Sequence, residues 1–188
     1  MGDNMKNYRI YLRALEIDDY KILHQYRLEE YVAYGYGGMR QFVSSENEKK
    51  WVEDRIFDKS IVTAAICEKE SDKLIGLIFL TEIDNYNRNA QCPLFIGDKS
   101  LLGEGYGFEA KILMLHYAFY DRGLIRIYDK VLEDNIASIK LHEKCGYKKE
   151  GVLRKSHFKN GEFKNEIIFG LLKEDFEYIL KYKLNYEV

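Results

Sequence analysis

Hydrophobic and polar residues alternate with different periods along this chain, and each change of period predicts a boundary between elements. Alternation over residues 8–12 predicts a strand, and apolar residues at helical spacing predict a helix from Asp18 to Arg27. The later predictions are a tyrosine- and glycine-rich loop at 31–40, a helix capped by Ser44, a hairpin of strands at 61–67 and 73–83, a strand at 91–96, a helix reaching about 121, a strand at 126–131, a helix at 135–144, strands at 148–153 and 163–172, and a helix from 174. This mixed order predicts an α/β (mixed α+β) fold with one central sheet.

No composition shift, repeat or linker divides the chain, so residues 1–188 are expected to form a single domain. Pro93 lies inside the strand predicted at 91–96 and removes a donor from the ladder. We therefore expect a bulge or a free edge at this point.

Three glycines at alternate positions, Gly103, Gly105 and Gly107, follow that strand and open the next helix. Glycine lets the backbone approach a ligand closely, and a helix start presents free N–H groups and a positive dipole end. The pattern favours a phosphate, and first of all the pyrophosphate of a nucleotide-containing cofactor. A glycine-rich turn without a ligand is the alternative.

The run from Gly105 to Ala110 also fits the dinucleotide-binding fingerprint GxGxxA, with Asp129 further along the chain. That fold normally begins with its fingerprint, whereas about 100 residues precede it here. The residues after Ala110 are too few for the rest of a doubly wound sheet. We therefore disfavour this interpretation.

A second motif supports another cofactor. The run 103–110 resembles the acetyl-CoA pyrophosphate loop of the GNAT N-acetyltransferase superfamily, and the run from Asp134 to Tyr147 resembles its second signature, in which an Asn-x-x-Ser helix start leads to Leu-Tyr-Glu-Lys-x-Gly-Phe. Residues 149–154 and 161–172 are similar to the tail of its Rim-like branch, the ribosomal-protein and polyamine acetyltransferases. The resemblance implies the GNAT fold, a twisted mixed sheet of six to seven strands flanked by helices.

The resemblance implies acetyl-CoA as the donor and assigns residues to it. Backbone groups of the turn would bind the pyrophosphate, the bulged strand would hold the pantetheine, and the second helix start would reach the same arm. The implied donor-binding residues are Leu94, Phe95, Ile96, Leu102, Gly103, Glu104, Gly105, Tyr106, Gly107, Asn135, Ser138 and Lys144. For Asn135 and Ser138, simple helix capping is an equally valid role.

The acid–base residues depart from the family pattern. The tyrosine that protonates the leaving thiolate is replaced by His142, which could act as the acid if its ring faces the cleft and is otherwise a helix-surface histidine. Ser138 is the rival acid. A glutamate common early in the fourth strand is Gln91 here, so the base is Glu82 or a water chain.

The loop at 31–40 lies where this superfamily builds its acceptor pocket. Tyr31, Tyr34, Tyr36 and Arg40 are therefore candidate substrate-binding residues, although packing beneath a long loop would also explain them. The implied reaction is transfer of acetyl to a primary amine of a protein N-terminus, a polyamine or another small molecule, by direct attack in a ternary complex. The alternative is a non-catalytic acyl-CoA-binding or sensing module.

Composition narrows the remaining function classes. A net charge of −2, from 29 basic and 31 acidic residues, favours neither a nucleic-acid nor a membrane-surface binder. Three separated cysteines form no disulfide framework, which is typical of the cytoplasm, and they are expected in the core. No histidine spacing indicates a metal site. The oligomeric state stays open, with a homodimer among the alternatives.

Overall fold

A computed structural model describes residues 7–35 and 42–185, in which helices cover both faces of one mixed sheet. The strands are β1 (Ile10–Ala14), β2 (Val62–Glu68), β3 (Leu74–Asp84), β4 (Asn89–Gln91), β5 (Leu94–Ile96), β6 (Arg126–Leu132), β7 (Lys148–Lys159) and β8 (Glu162–Leu172). The α-helices are α1 (Tyr20–Leu28), α2 (Glu30–Gly35), α3 (Ser45–Phe57), α4 (Tyr106–His116), α5 (Ile136–Lys144) and α6 (Lys173–Lys183). The predicted fold class is confirmed.

The sheet order is β1-β2-β3-β4-β6-β8-β7, with β5 added beside β3. Among the described strands only β4 and β6 run parallel, and every other pair is antiparallel. A doubly wound dinucleotide-binding sheet would be mostly parallel, so this order excludes that alternative.

Three sequence predictions need correction. The sheet has eight strands rather than six or seven, because the run 91–96 divides at Cys92 and Pro93 into β4 and β5. The strand expected at 148–153 continues to Lys159, with register shifts that let one long strand follow a twisted partner. The start of the loop predicted at 31–40 is helical, as α2.

The core lies on both faces of the sheet. One face packs against α4 and α6 through residues such as Ile78, Leu80 and Phe119. The other packs against α1 and α3 through Leu77 and Phe79, whose alternation with Ile78 and Leu80 follows the strand period of two. The two faces of β3 therefore pack against different helix layers.

Three features can be compared with what the composition and sequence suggest. Cys67, Cys92 and Cys145 are free and buried, as expected of core residues. No helix among residues 7–35 and 42–185 has the length and hydropathy needed to cross a bilayer. Within the same ranges, no group of three or more histidine, cysteine or acidic side chains is arranged to hold a metal ion.

Candidate active site

The glycine turn before α4 has a backbone that favours glycine at two positions. Gly103 and Gly105 have φ angles of +82° and +93°, in the left-handed region where a side chain causes strain. Gly105 directly precedes α4, and a short 3₁₀ helix, Lys99–Leu101, precedes the turn. The chain therefore enters α4 through a sharp turn that the glycines permit.

Backbone donors in this turn are free to bind a ligand. The N–H groups of Gly103, Gly105, Tyr106 and Gly107 make no hydrogen bond to any part of the chain that the structure describes. By contrast, the next helical N–H, that of Phe108, donates to the Gly105 carbonyl at 3.0 Å. Unpaired N–H groups at the positive end of a helix suit an anion, so the turn fits a pyrophosphate group.

Arg9 supports the turn, a role that the sequence analysis missed. Its guanidinium donates to the Glu104 carbonyl and to the Glu109 carboxylate, each at 2.8 Å, and lies 4.1 Å from the centroid of the Tyr106 ring. The Tyr106 hydroxyl then donates to Glu68 at 2.8 Å. These contacts fix the turn against β2 and pair the Glu109 carboxylate, in the first turn of α4, with a cation.

A gap in the sheet opens beside the turn. β4 pairs with β6 as far as Gln91 and Tyr128, whereas β5 pairs only with β3 among the described strands. The second half of β6 therefore has no partner on the β5 side. This confirms the disturbance that Pro93 predicts.

The backbone of β5 presents polar groups to this gap. The Pro93 carbonyl accepts from the Phe79 N–H at 2.9 Å, and the Gly97 N–H donates to the Ile75 carbonyl at 2.7 Å, so both residues face β3. Alternation then directs the N–H and C=O groups of Leu94 and Ile96 into the gap. An extended chain lying there can hydrogen-bond to β5 as an added strand would.

The second signature places α5 beside the turn. A methyl group on Gly107 would lie 3.6 Å from Leu94 and 3.9 Å from Leu141 of α5, so the turn, β5 and α5 meet at one point. The Lys144 ammonium lies 4.1 Å from the centroid of the Phe108 ring, which brings this cation to the first turn of α4. Asn135, at the other end of α5, accepts from the Ser138 N–H at 3.1 Å and so has the expected capping role.

His142 is buried, and both of its ring nitrogens have partners. Nδ1 lies 2.7 Å from the Ser138 carbonyl and 3.4 Å from the Ser138 hydroxyl. Because a carbonyl can only accept, Nδ1 carries a proton. Nε2 lies 3.2 Å from Asp129 and 3.4 Å from Lys111. A helix-surface position for His142 is therefore wrong, and its role as an acid stays a prediction.

A cavity of about 290 Å³ lies between the sheet and helices α1 and α3. Its lining is Leu23, Arg27, Val32, Glu48, Trp51, Arg55, Ile61, Leu77, Phe79, Thr81, Pro93 and Phe95. Since Pro93 and Phe95 flank the gap as well, the cavity and the gap adjoin each other at β5.

The charges in the cavity wall are balanced by ion pairs. Arg27 forms an ion pair with Glu48, which is 1% exposed, and Arg55 pairs with Asp58 at 3.4 Å. Both guanidinium groups flank Trp51, at 5.0 and 5.5 Å from its ring. The remaining surface is largely apolar, which suits an uncharged or hydrocarbon portion of a ligand.

The cavity differs from the acceptor site expected from the sequence. The Tyr31 hydroxyl donates to the Gly97 carbonyl at the end of β5, so this side chain is beside the cavity and outside its lining. The side chain of Tyr34 and all of Tyr36 and Arg40 lie outside the described residues. Trp51 and Arg55 were missed, although their spacing of four residues on a predicted helix places them on one face.

Glu82 lies at a bulge near the end of β3. Its φ angle is +48°, and the register with β4 shifts between Thr81 and Asp84. Its exposed carboxylate accepts a hydrogen bond of 2.7 Å from the Tyr128 hydroxyl. Thr81, the preceding residue, lines the cavity, so Glu82 is adjacent in sequence to the cavity wall.

Comparison with known proteins agrees with this geometry. A family model described as an acetyltransferase (GNAT) domain matches residues 9–148. The chain is 30% identical to a probable N-acetyltransferase, YjcK, of Bacillus subtilis over 92% of this chain and 99% of the relative. It is 27% identical to spermidine N(1)-acetyltransferase of Vibrio cholerae over 85% of this chain and 90% of the relative.

A solved structure shows the same fold. Spermidine N-acetyltransferase from Vibrio cholerae, in complex with CoA and spermine, superposes with a TM-score of 0.83 at 24% identity, covering 91% of this chain and 99% of that one. With the matched domain and the related enzymes, this identifies the chain as a member of the GNAT acetyltransferase family and as an acetyl-CoA-dependent N-acetyltransferase.

Proposed function

We propose that the protein acetylates a primary amine of a polyamine, which enters the cavity between α1, α3 and the sheet while acetyl-CoA occupies the gap beside β5. The observation that carries this proposal is the meeting of cavity and gap at Pro93 and Phe95. Two substrates that approach β5 from the two sides can react directly in a ternary complex, without a covalent enzyme intermediate.

The donor side rests on the free backbone donors. The N–H groups of Gly103, Gly105, Tyr106 and Gly107 would hold the pyrophosphate, with Lys144 adding a positive charge near the first turn of α4. Leu94 and Ile96 would hydrogen-bond the pantetheine arm, and Asn135 and Ser138 would approach the same arm from α5.

Acetyl-CoA supplies an activated acetyl thioester. An N–H group of β5 that faces the gap can stabilise the negative charge that develops on its carbonyl oxygen, an effect of about 3 kcal/mol in comparable sites. The rigid antiparallel pairing of β5 with β3 keeps this donor in place without reorganisation.

The reaction needs two proton transfers, one from the amine and one to the departing thiolate, and we assign them to residues on opposite sides of β5. An alkyl amine is protonated near neutral pH, so a base must remove a proton before attack. We assign this step to Glu82, whose carboxylate is oriented by Tyr128, acting directly or through water. On the donor side, Ser138 would pass the proton of its hydroxyl to the departing thiolate; His142 Nδ1 lies 3.4 Å from the oxygen of this hydroxyl.

A polyamine fits the cavity better than a bulky amine. The volume of about 290 Å³ is at the lower end of small-molecule sites, and the lining offers apolar and aromatic walls to a methylene chain. Relatives named as spermidine N-acetyltransferases support the same acceptor class.

Release of the CoA thiol, followed with spermidine, spermine, an aminoglycoside and a short peptide with a free N-terminus, tests the proposal. We expect thiol release that requires both substrates and is at least about tenfold faster with a polyamine. Saturable CoA binding by calorimetry with no release for any acceptor would instead indicate a binding module. Release with only the peptide would contradict the polyamine assignment.

A further inference from the structure

We propose that the buried ion pair of Lys111 and Asp129 is a positioning device that separates β5 from β6 at Cys92 and so keeps the gap open. The identity of the ligand in the gap rests on the proposed function. The role of the pair rests on contacts within the chain.

The ion pair is buried in the middle of the core. The Lys111 ammonium lies 2.9 Å from Asp129, and the two residues are 1% and 4% exposed. Lys111 stands on α4 between Ala110 and Ile112, both fully buried. A charged side chain at such a position is costly unless it makes specific contacts.

Those contacts are to the backbone of Cys92, where the strand divides. The Cys92 N–H donates to Asp129 Oδ1 at 2.9 Å, and the Cys92 carbonyl accepts from the Lys111 ammonium. Both polar backbone groups of this fully buried residue are therefore satisfied by the ion pair.

The position of Asp129 explains how this arrangement separates the strands. Gln91 and Tyr128 form the last backbone pair of β4 with β6, and Asp129 is the next residue of β6. In a continuous ladder, Cys92 would bond to the backbone of β6. Here the side chain of Asp129 takes the N–H instead, so the chain can leave β6 at Pro93 without an unpaired buried group.

His142 ties this cluster to α5. Its Nε2 lies 3.2 Å from Asp129 and 3.4 Å from Lys111, while its Nδ1 bonds to Ser138. The cluster thus connects α4, β6, α5 and the start of β5, which are the elements around the gap. Moving Cys92 would alter the wall formed by Leu94 and Ile96.

The test compares three pairs of substitutions at this position. Lys111→Met with Asp129→Leu removes both contacts to Cys92 and replaces the charged side chains by apolar ones of similar shape. Lys111→Gln with Asp129→Asn keeps hydrogen-bonding groups at both positions without the charges. Lys111→Leu with Asp129→Asn removes only the contact to the carbonyl. The control is Lys50→Met with Asp54→Leu, an ion pair exposed on α3.

The readout is binding of two ligands to each folded variant, measured by calorimetry. CoA contains the pantetheine arm, whereas adenosine 3′-phosphate 5′-diphosphate is its nucleotide half and needs only the glycine turn. For Lys111→Met with Asp129→Leu (the Met/Leu variant) we expect the affinity for CoA to fall about tenfold, with the affinity for the nucleotide half unchanged. Lys111→Leu with Asp129→Asn (the Leu/Asn variant) should lose about threefold in affinity for CoA. Lys111→Gln with Asp129→Asn and the exposed control pair should lose less.

Unchanged CoA affinity in the Met/Leu variant overturns the inference, as does an equal loss for both ligands, which would indicate general destabilisation. If the Met/Leu variant does not fold, wild-type CoA affinity in the Leu/Asn variant overturns it. Wild-type protein that binds neither ligand would overturn the proposed function and this inference with it. Binding by the wild type with no change in the folded variants overturns only the positioning role.

Discussion

The Tyr128 hydroxyl of β6 lies 2.7 Å from the Glu82 carboxylate of β3, although β4 lies between these two strands. The contact depends on the bulge in β3. Regular alternation would direct Glu82 to the same face as the buried Leu80, but the positive φ angle of Glu82 turns its side chain elsewhere. Bulges commonly redirect a functional side chain in this way.

Replacing Glu82 by Gln should therefore lower kcat/KM for the amine by about 100-fold, the lower end of the usual range for a lost general base. Affinity for acetyl-CoA should not change, since Glu82 is outside the glycine turn. Tyr128→Phe should have a smaller effect, because it removes only the group that orients the carboxylate. Steady-state kinetics with both substrates check this, and Glu53→Gln on α3 is the control. Wild-type turnover in Glu82→Gln would assign the base to water.

The glycine turn offers a test with an internal control. Gly105→Ala places a side chain at a φ angle of +93° and 3.3 Å from the Arg9 guanidinium. We expect a loss of about 1–2 kcal/mol in the free energy of unfolding, from the left-handed backbone, together with a rise of about tenfold in KM for acetyl-CoA.

Gly123→Ala is the matched control, since Gly123 also has a positive φ angle, of +66°, with open space around it. It should lose similar stability without any change in KM. An equal rise in KM for both variants would show that strain alone explains the effect and that the turn does not bind the donor.

The wall of the cavity can be tested at Trp51. Trp51→Ala removes the ring between Arg27 and Arg55 and should raise KM for the polyamine at least about fivefold, because an aromatic wall of the cavity is lost. The KM for acetyl-CoA should stay constant. Phe57→Ala, on the same helix but 78% exposed, should change neither value. A selective rise in KM for acetyl-CoA would show that the cavity is not the acceptor site.

The sequence predicted the acetyl-CoA side of the site better than the amine side, because the acetyl-CoA side is formed by features that involve residues close together in sequence. Gly103, Gly105 and Gly107 lie within five residues of one another, Asn135 caps its own helix, and Pro93 alone indicates the divided strand. Such features depend on backbone conformation, which individual residue types report directly.

The missed features all depend on contacts between distant residues. Arg9 reaches Glu104 across 95 positions of sequence, and Lys111 reaches Asp129 only after α4 packs on the sheet. A lysine within an apolar helix was the one visible signal for the buried pair. It does not identify its partner, since any acidic residue of the neighbouring strands would complete an ion pair.

The buried pair also predicts how stability depends on pH. Burial opposes ionisation of Asp129, but the Lys111 ammonium holds the pKa of this carboxyl well below its ordinary value. For Lys111, burial opposes the charge and Asp129 outweighs it, so the pKa of Lys111 is raised. Both pKa shifts favour the charged form of the residue concerned, so the pair is charged at neutral pH.

A lowered pKa in the folded state contributes stability above the unfolded-state value of about 3.9, and this contribution is lost as the pH falls further. The raised pKa of Lys111 matters only at alkaline pH. Urea unfolding of the wild type and of Lys111→Gln with Asp129→Asn, between pH 6 and pH 3, tests this. The free energy of unfolding of the wild type should fall relative to that of the variant by up to about 1.4 kcal/mol per pH unit below pH ~4. The exposed pair variant Lys50→Gln with Asp54→Asn should follow the wild type closely. Parallel curves for the buried variant would mean that the pKa of Asp129 is the same in the folded and unfolded protein, whereas a wild type that gains stability relative to the variant between pH 6 and pH 4 would mean that Asp129 is neutral when folded.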